Sequence, residues 1–156
     1  MSKTQTNDRV TVFLALHLMT TAADILAEAR TWAGTPFHHQ GRFKGVGVDC
    51  LGLVVGVGRA LGLSQADATG YPRQPDGAAL LAGLDAAYQR LPLGQQKPGD
   101  IMVFRIRRDP QHLALLTERG GMIHVHAAVG RVVETSLDAT WSARVVAAYR
   151  YPGVEG

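Results

Sequence analysis

Three residues of this chain have types and spacing that can do covalent chemistry: the only cysteine, Cys50, and two later histidines, His112 and His124. Cys50 follows Gly45-Val46-Gly47-Val48-Asp49 and precedes the apolar run Leu51-Gly52-Leu53-Val54-Val55, which reads as a loop delivering a thiol to the first turn of a buried helix. Unpaired N–H groups and the helix dipole stabilise a thiolate there, so the sequence predicts a thiol pKa below the usual value of about 8.5. His112 opens the strand-like run His112-Leu113-Ala114-Leu115-Leu116, and His124 lies in Met122-Ile123-His124-Val125-His126 after the turn Gly120-Gly121. Two apolar strands joined by such a turn form an antiparallel hairpin, which brings the start of one beside the end of the next. A cysteine nucleophile needs a base that takes its proton and returns it to the leaving amine, and that base works best when a third polar group fixes its tautomer. Cys50, His112 and His124 can fill those roles. His126 shares a strand face with His124, so spacing alone does not choose between them as the third residue.

Five stretches carry a family resemblance. Ala29-Arg30-Thr31-Trp32-Ala33-Gly34-Thr35-Pro36-Phe37, Gly47-Val48-Asp49-Cys50-Leu51-Gly52-Leu53-Val54, Lys97-Pro98-Gly99-Asp100, and His112 to Leu116 with Met122-Ile123-His124 resemble the NlpC/P60 cysteine peptidases. The likeness is greatest to their phage and gene-transfer-agent branch and covers residues 22 to 151. It implies a papain-like α+β fold, with N-terminal helices, the nucleophile helix among them, packed on an antiparallel β-sheet. It also implies hydrolysis of peptidoglycan stem peptides, typically between D-γ-glutamate and a diamino acid, with Cys50 as nucleophile, His112 as base and His124 as orienting residue. It calls for no cofactor. For this branch it implies a phage-like tail or tail tip as partner, a protein made in the bacterial cytoplasm, and action in the periplasm or cell wall.

Two positions depart from the wider family, which usually has Tyr where Phe37 stands and Ser where Leu51 stands. With the Asp before the cysteine, that Tyr and Ser resemble a pocket for the ammonium group of a stem peptide with a free N-terminus. Only Asp49 remains here, and a site short of polar partners binds a desolvated ammonium less well. An enzyme acting on stems still attached to glycan would tolerate that loss. Asp49 is equally a candidate helix cap. His39 and Gln40, shortly before the nucleophile, are candidates to line the cleft or hold an oxyanion, whose main donor is expected to be the backbone N–H of Cys50. The same triad also suits an amidase or acyltransferase, and the Phe37 and Leu51 departures suit a tail structural protein with a vestigial site.

At 156 residues, 46% hydrophobic and 19% charged, the chain has the size of one domain with one core. A lone cysteine forms no intrachain disulfide, so no redox compartment is implied. The net charge of +3 is scattered, without the basic runs interleaved with aromatics that nucleic-acid binders show. Metal binding is disfavoured, because His38, His39, His112, His124 and His126 include no i, i+4 pair. The Gly41 to Gly47 loop lacks the Gly-Lys-Ser/Thr ending of a phosphate cradle.

The elements that must position the triad follow. Residues 1–21 read as an N-terminal arm and 22–156 as the peptidase-like domain. The apolar stretch Val10 to Met19 is too short to span a bilayer, and Asp8, His17 and the lack of an Ala-x-Ala site argue against a signal peptide; a strand or a docking arm is expected. Helical spacing covers 22–32, 50–61 and 78–91, with a Pro- and Gly-containing connection over 66–77. Glycines at 52, 56 and 58 in the second helix suggest close packing on a sheet. Strand patterns follow at 101–105, 112–117, 121–126, 131–135 and 144–150, with a polar loop between the first two.

Overall fold

The computed structural model describes residues 19–155. The strand or docking arm predicted over 10–19 falls almost wholly outside them. Helix α1 (Ala22–Arg30) starts at a capping box in which Thr21 and Asp24 satisfy each other's backbone N–H, and it buries Ile25, Leu26 and Ala29. A two-stranded hairpin follows, β1 (Arg42–Phe43) with β2 (Gly47–Val48). It leads directly into α2 (Cys50–Ala60), capped by the Asp49 side chain on Gly52 N–H. Helix α3 (Gly77–Ala87) is capped in turn by Asp76.

The second half is an antiparallel sheet of six strands. Its members are β3 (Gln89–Leu91), β4 (Ile101–Ile106), β5 (Asp109–Leu116), β6 (Gly121–His124), β7 (Val133–Ser136) and β8 (Val145–Arg150), in the order β3-β8-β4-β5-β6-β7. A short helix, α4 (Ala139–Ser142), connects β7 to β8 and is capped by Asp138. Side chains alternate across a strand, so the sheet has two faces. Ile101, Val103, Leu113, Leu115, Ile123, Ala147 and Tyr149 pack with Leu26, Leu53, Val54, Val57 and Leu84 of the three long helices. Met102, Phe104, Ala114, Met122 and Ala148 form a smaller apolar layer on the other face, covered by Leu137 and Trp141. This is the α+β architecture expected, helices on an antiparallel sheet. Asp100 ties β4 to β8: it is buried and receives both the Nε–H and the Nη2–H of Arg150 at 2.8 Å.

Several elements differ from the sequence expectation. Helical spacing over 78–91 stops at Ala87, because Tyr88 turns extended (φ −131, ψ 162) and Gln89–Leu91 joins the sheet edge beside β8. Leu91 precedes Pro92, which itself disfavours helix. The polar loop expected after β4 is a tight hairpin, with Ile106 paired to Asp109 and Arg107 in the left-handed region (φ 58). Strand β6 leaves the ladder at His124 rather than at 126. The glycines of α2 mostly meet partners other than the sheet: a side chain at Gly56 would run into Trp32 of the first helix's end, and one at Gly58 into Tyr151.

Candidate active site

Cys50 is the first residue of α2, and its partners are set by the cap before it. Asp49 holds extended backbone and accepts Gly52 N–H at 2.8 Å, which turns the chain into the helix at Cys50. The backbone N–H groups of Leu113, Leu51 and Cys50 itself lie against the sulfur and favour its anionic form. Two effects oppose them. Burial strips water from the thiol, and the Asp49 carboxylate repels a thiolate, so the pKa is pushed up to about 11. The sequence expectation of a lowered thiol pKa is therefore corrected: the helix start that supplies N–H donors also carries a capping carboxylate inside a packed site.

The histidines meet where β5 and β6 separate. The two strands pair only at Leu115 with Ile123 and Leu116 with Met122. Beyond that pair the ladder opens, and the backbone N–H of Leu113 is among the groups that favour the Cys50 anion. His112 and His124 are both buried, and Nε2 of His112 lies 2.8 Å from Nδ1 of His124. The tautomer in which His112 donates from Nε2 leaves its Nδ1 without a proton, the form a base requires. Burial first, then the neighbouring His124 and His126, hold the His112 pKa well below its usual range. His124 is lowered to about 4, by burial and then by His126. At neutral pH the Cys50 thiol and the His112 and His124 imidazoles are thus all uncharged.

Asp49 is enclosed by a polar network. Its Oδ1 accepts Gly52 N–H at 2.8 Å and Arg42 Nη1–H at 3.0 Å; its Oδ2 accepts Gln40 N–H at 2.8 Å and the Tyr71 hydroxyl at 2.5 Å. A carboxylate has about four lone-pair sites, and all are taken. Arg42 is equally committed. Nε goes to Asp67, Nη1 to Gly41 O and Asp49, Nη2 to Ala68 O and the Tyr71 hydroxyl, which uses the five donors of a guanidinium. Burial and the bond to Asp49 raise the Tyr71 pKa, so the phenol remains a proton donor.

The other sequence-predicted site residues hold this network or the core. His39 Nε2 bonds Tyr71 O at 3.0 Å. Gln40 sits in the left-handed region (φ 59), which aims its N–H at Asp49, while its side chain takes Tyr71 O and Gly70 N–H. Both therefore fasten the 66–77 connection to the nucleophile loop. Phe37 is half-buried against the main core. Leu51 lines an apolar cavity of about 100 Å³ between α2 and α3, with Val55, Leu80, Leu84 and Tyr88. Among the described residues no group of three or more His, Cys, Asp or Glu side chains is arranged to hold a metal ion, and no helix is long and apolar enough to cross a membrane. Sequence reasoning missed Arg42, Asp67, Tyr71 and Trp141. Tyr71 had a signal, an aromatic between Gly70 and Pro72 in an otherwise polar connection.

The family model for the NlpC/P60 family matches residues 34–150, a span that runs from before β1 to the end of β8. The chain belongs to the NlpC/P60 family. Solved structures of NlpC/P60 proteins share its fold. An NlpC/P60 family protein from Bacillus cereus superposes with a TM-score of 0.65 at 21% identity, covering 85% of this chain and 41% of its own. The NlpC/P60 domain of the peptidoglycan hydrolase SagA gives 0.60 at 25% identity, covering 83% and 98%. The peptidoglycan hydrolase RipB of Mycobacterium tuberculosis gives 0.56 at 21% identity, covering 83% and 63%. This NlpC/P60 chain thus spans under half the length of the B. cereus protein. No curated protein matches its sequence.

Proposed function

We propose that this NlpC/P60 domain is a cysteine endopeptidase of peptidoglycan stem peptides, with Cys50 as nucleophile, His112 as general base and His124 as the residue that orients the base. The observation that carries the reading is the 2.8 Å bond between His112 Nε2 and His124 Nδ1, beside a helix-start thiol that touches the backbone of Leu113. The neutral resting pair sets the order of events. His112 Nδ1 takes the thiol proton as the sulfur attacks the stem carbonyl, since a free thiolate is disfavoured beforehand. The N–H groups at the first turn of α2 then face the developing oxyanion. The imidazolium returns its proton to the leaving amine, which leaves a thioester at Cys50; water activated by the same imidazole releases the acid.

The saturated Asp49 supports a substrate without a free N-terminal amine. An incoming ammonium would have to displace Arg42, Tyr71 or a backbone N–H, and would lie beside the Arg42 cation. A stem still amide-linked to glycan carries no such charge. Cleavage between D-γ-glutamate and a diamino acid, and delivery on a phage-like tail to the periplasm or cell wall, complete the proposal on the resemblance of the Asp49-Cys50-Leu51-Gly52-Leu53-Val54 motif. Mass spectrometry of purified muropeptides, incubated with wild type or Cys50→Ala, tests it. Cleavage by wild type alone, at the γ-glutamyl bond and in glycan-linked stems over free-amine ones, is the expected result. No cleavage of either substrate favours the reading as a tail structural protein with a vestigial site.

A further inference from the structure

Trp141 is the one large side chain that α4 sends onto the histidines; it packs on the smaller apolar layer and also covers the imidazoles beside it. Its ring centroid lies 5.3 Å from His112, 5.5 Å from His124 and 6.0 Å from His126, and it meets Phe104 edge-on at 5.3 Å. The indole thus touches every imidazole of the cluster while Phe104 backs both it and His112. Arg144 places its guanidinium 5.3 Å from the indole centroid, a cation–π contact at the start of β8. The segment itself is fastened: Asp138 accepts Trp141 N–H at 2.8 Å, and Arg144 O accepts Arg105 N–H of β4 at 2.8 Å.

We propose that Trp141 is a positioning residue, whose indole keeps water off the His112–His124 pair and fixes both ring planes so that Nδ1 of His112 stays available to Cys50. The inference rests on the peptidase reading for its consequence, but its physical content is independent of turnover. An aromatic wall acts in two ways. It limits ring rotation, which a single hydrogen bond between two imidazoles would leave loose, and it removes solvent that would stabilise imidazolium. The lowered pKa values of His112 and His124, for which burial is the first cause, agree with the second effect. The titratable and charged groups against the pair and its indole are His126 after β6 and Arg144 at the start of β8.

The test is an NMR titration of the histidine rings in wild type, Trp141→Ala and Trp141→Phe, beside the pH dependence of kcat/KM. Loss of the indole should raise the His112 and His124 midpoints by about one unit or more toward 6.5, and Phe should restore them at least in part. A midpoint of the base that rises toward 6.5 moves the acid limb of kcat/KM to higher pH, so the ratio of kcat/KM at pH 5.5 to that at pH 7.5 falls. Where Trp141→Ala melts too low to titrate, Trp141→Leu, apolar but without the aromatic plane, carries the same comparison. Midpoints unchanged in Ala and Leu overturn the proposal. Midpoints that rise in a protein that cleaves no peptidoglycan leave it standing and sink the peptidase reading instead.

Discussion

His112 bonds His124 at 2.8 Å, although the β5–β6 register, if continued, would set His112 opposite His126. The ladder opens after Leu115 and Ile123, and the diagonal neighbour takes the hydrogen bond that the direct one would have had. His124→Ala should therefore lower kcat/KM by about 10- to 100-fold, because the base loses its tautomer lock but keeps its place. His126→Ala, which removes no side-chain hydrogen bond among the described residues, should stay within a few-fold of wild type. Steady-state kinetics on a defined muropeptide decide it. The reverse order would move the orienting role to His126.

The neutral thiol has a direct signature. With its pKa pushed up to about 11 by burial and by Asp49, Cys50 should react with iodoacetamide at pH 7 more slowly than a free thiol, and the rate should rise with pH until above 9. Asp49→Asn should shift that profile toward lower pH, since it removes the carboxylate charge. A wild-type midpoint below 7.5 would show that the N–H donors of the helix start outweigh burial.

The cap before Cys50 and the meeting of His112 with His124 were legible in sequence because each leaves a local mark. Asp49 before Cys50 marks a helix start, and His112 and His124 stand at opposite ends of two apolar runs separated by glycines. Period-2 alternation even predicted the shared face of His124 and His126, though not the open ladder that leaves His124 as the one bonded to His112. The surroundings were hidden for the same reason. Arg42 and Tyr71 are 29 residues apart yet bond at 2.8 Å, and Trp141 reaches His112 from a four-residue helix with no periodicity. The strand Gln89–Leu91 was hidden by the helical spacing that runs into it, which tertiary pairing with β8 overrides. The thiol pKa went the wrong way because desolvation depends on what packs around the sulfur, and no motif carries that.

Acid should destabilise the fold through the buried histidines. Their folded pKa values lie below the unfolded value of about 6.5, so the unfolded chain binds protons first and stability falls as pH drops from there to about 4, the value for His124. For His124 the loss at pH 5 is expected to be on the order of 1–2 kcal/mol, and His112 adds to it in the same direction. Urea unfolding at pH 5.0 and 7.5 measures it. In His124→Asn the gap between the two pH values should shrink; an unchanged gap would assign the acid sensitivity to other groups.

The network at Asp49 predicts a specificity change as well as a stability cost. Tyr71→Phe removes one acceptor contact from a buried carboxylate, at a cost of about 1–2 kcal/mol, and frees one Oδ2 lone pair beside Cys50. Arg42→Ala removes the facing cation and leaves Asp49 without its ion-pair partner inside the site, at about 3–5 kcal/mol. Tyr71→Phe is then the usable variant, folded and newly able to offer Asp49 to a positive group. It should gain cleavage of free-amine stem peptides relative to glycan-linked ones, read as the ratio of the two kcat/KM values. A ratio unchanged from wild type, in a protein whose melting shows the expected loss, would confine Asp49 to capping α2.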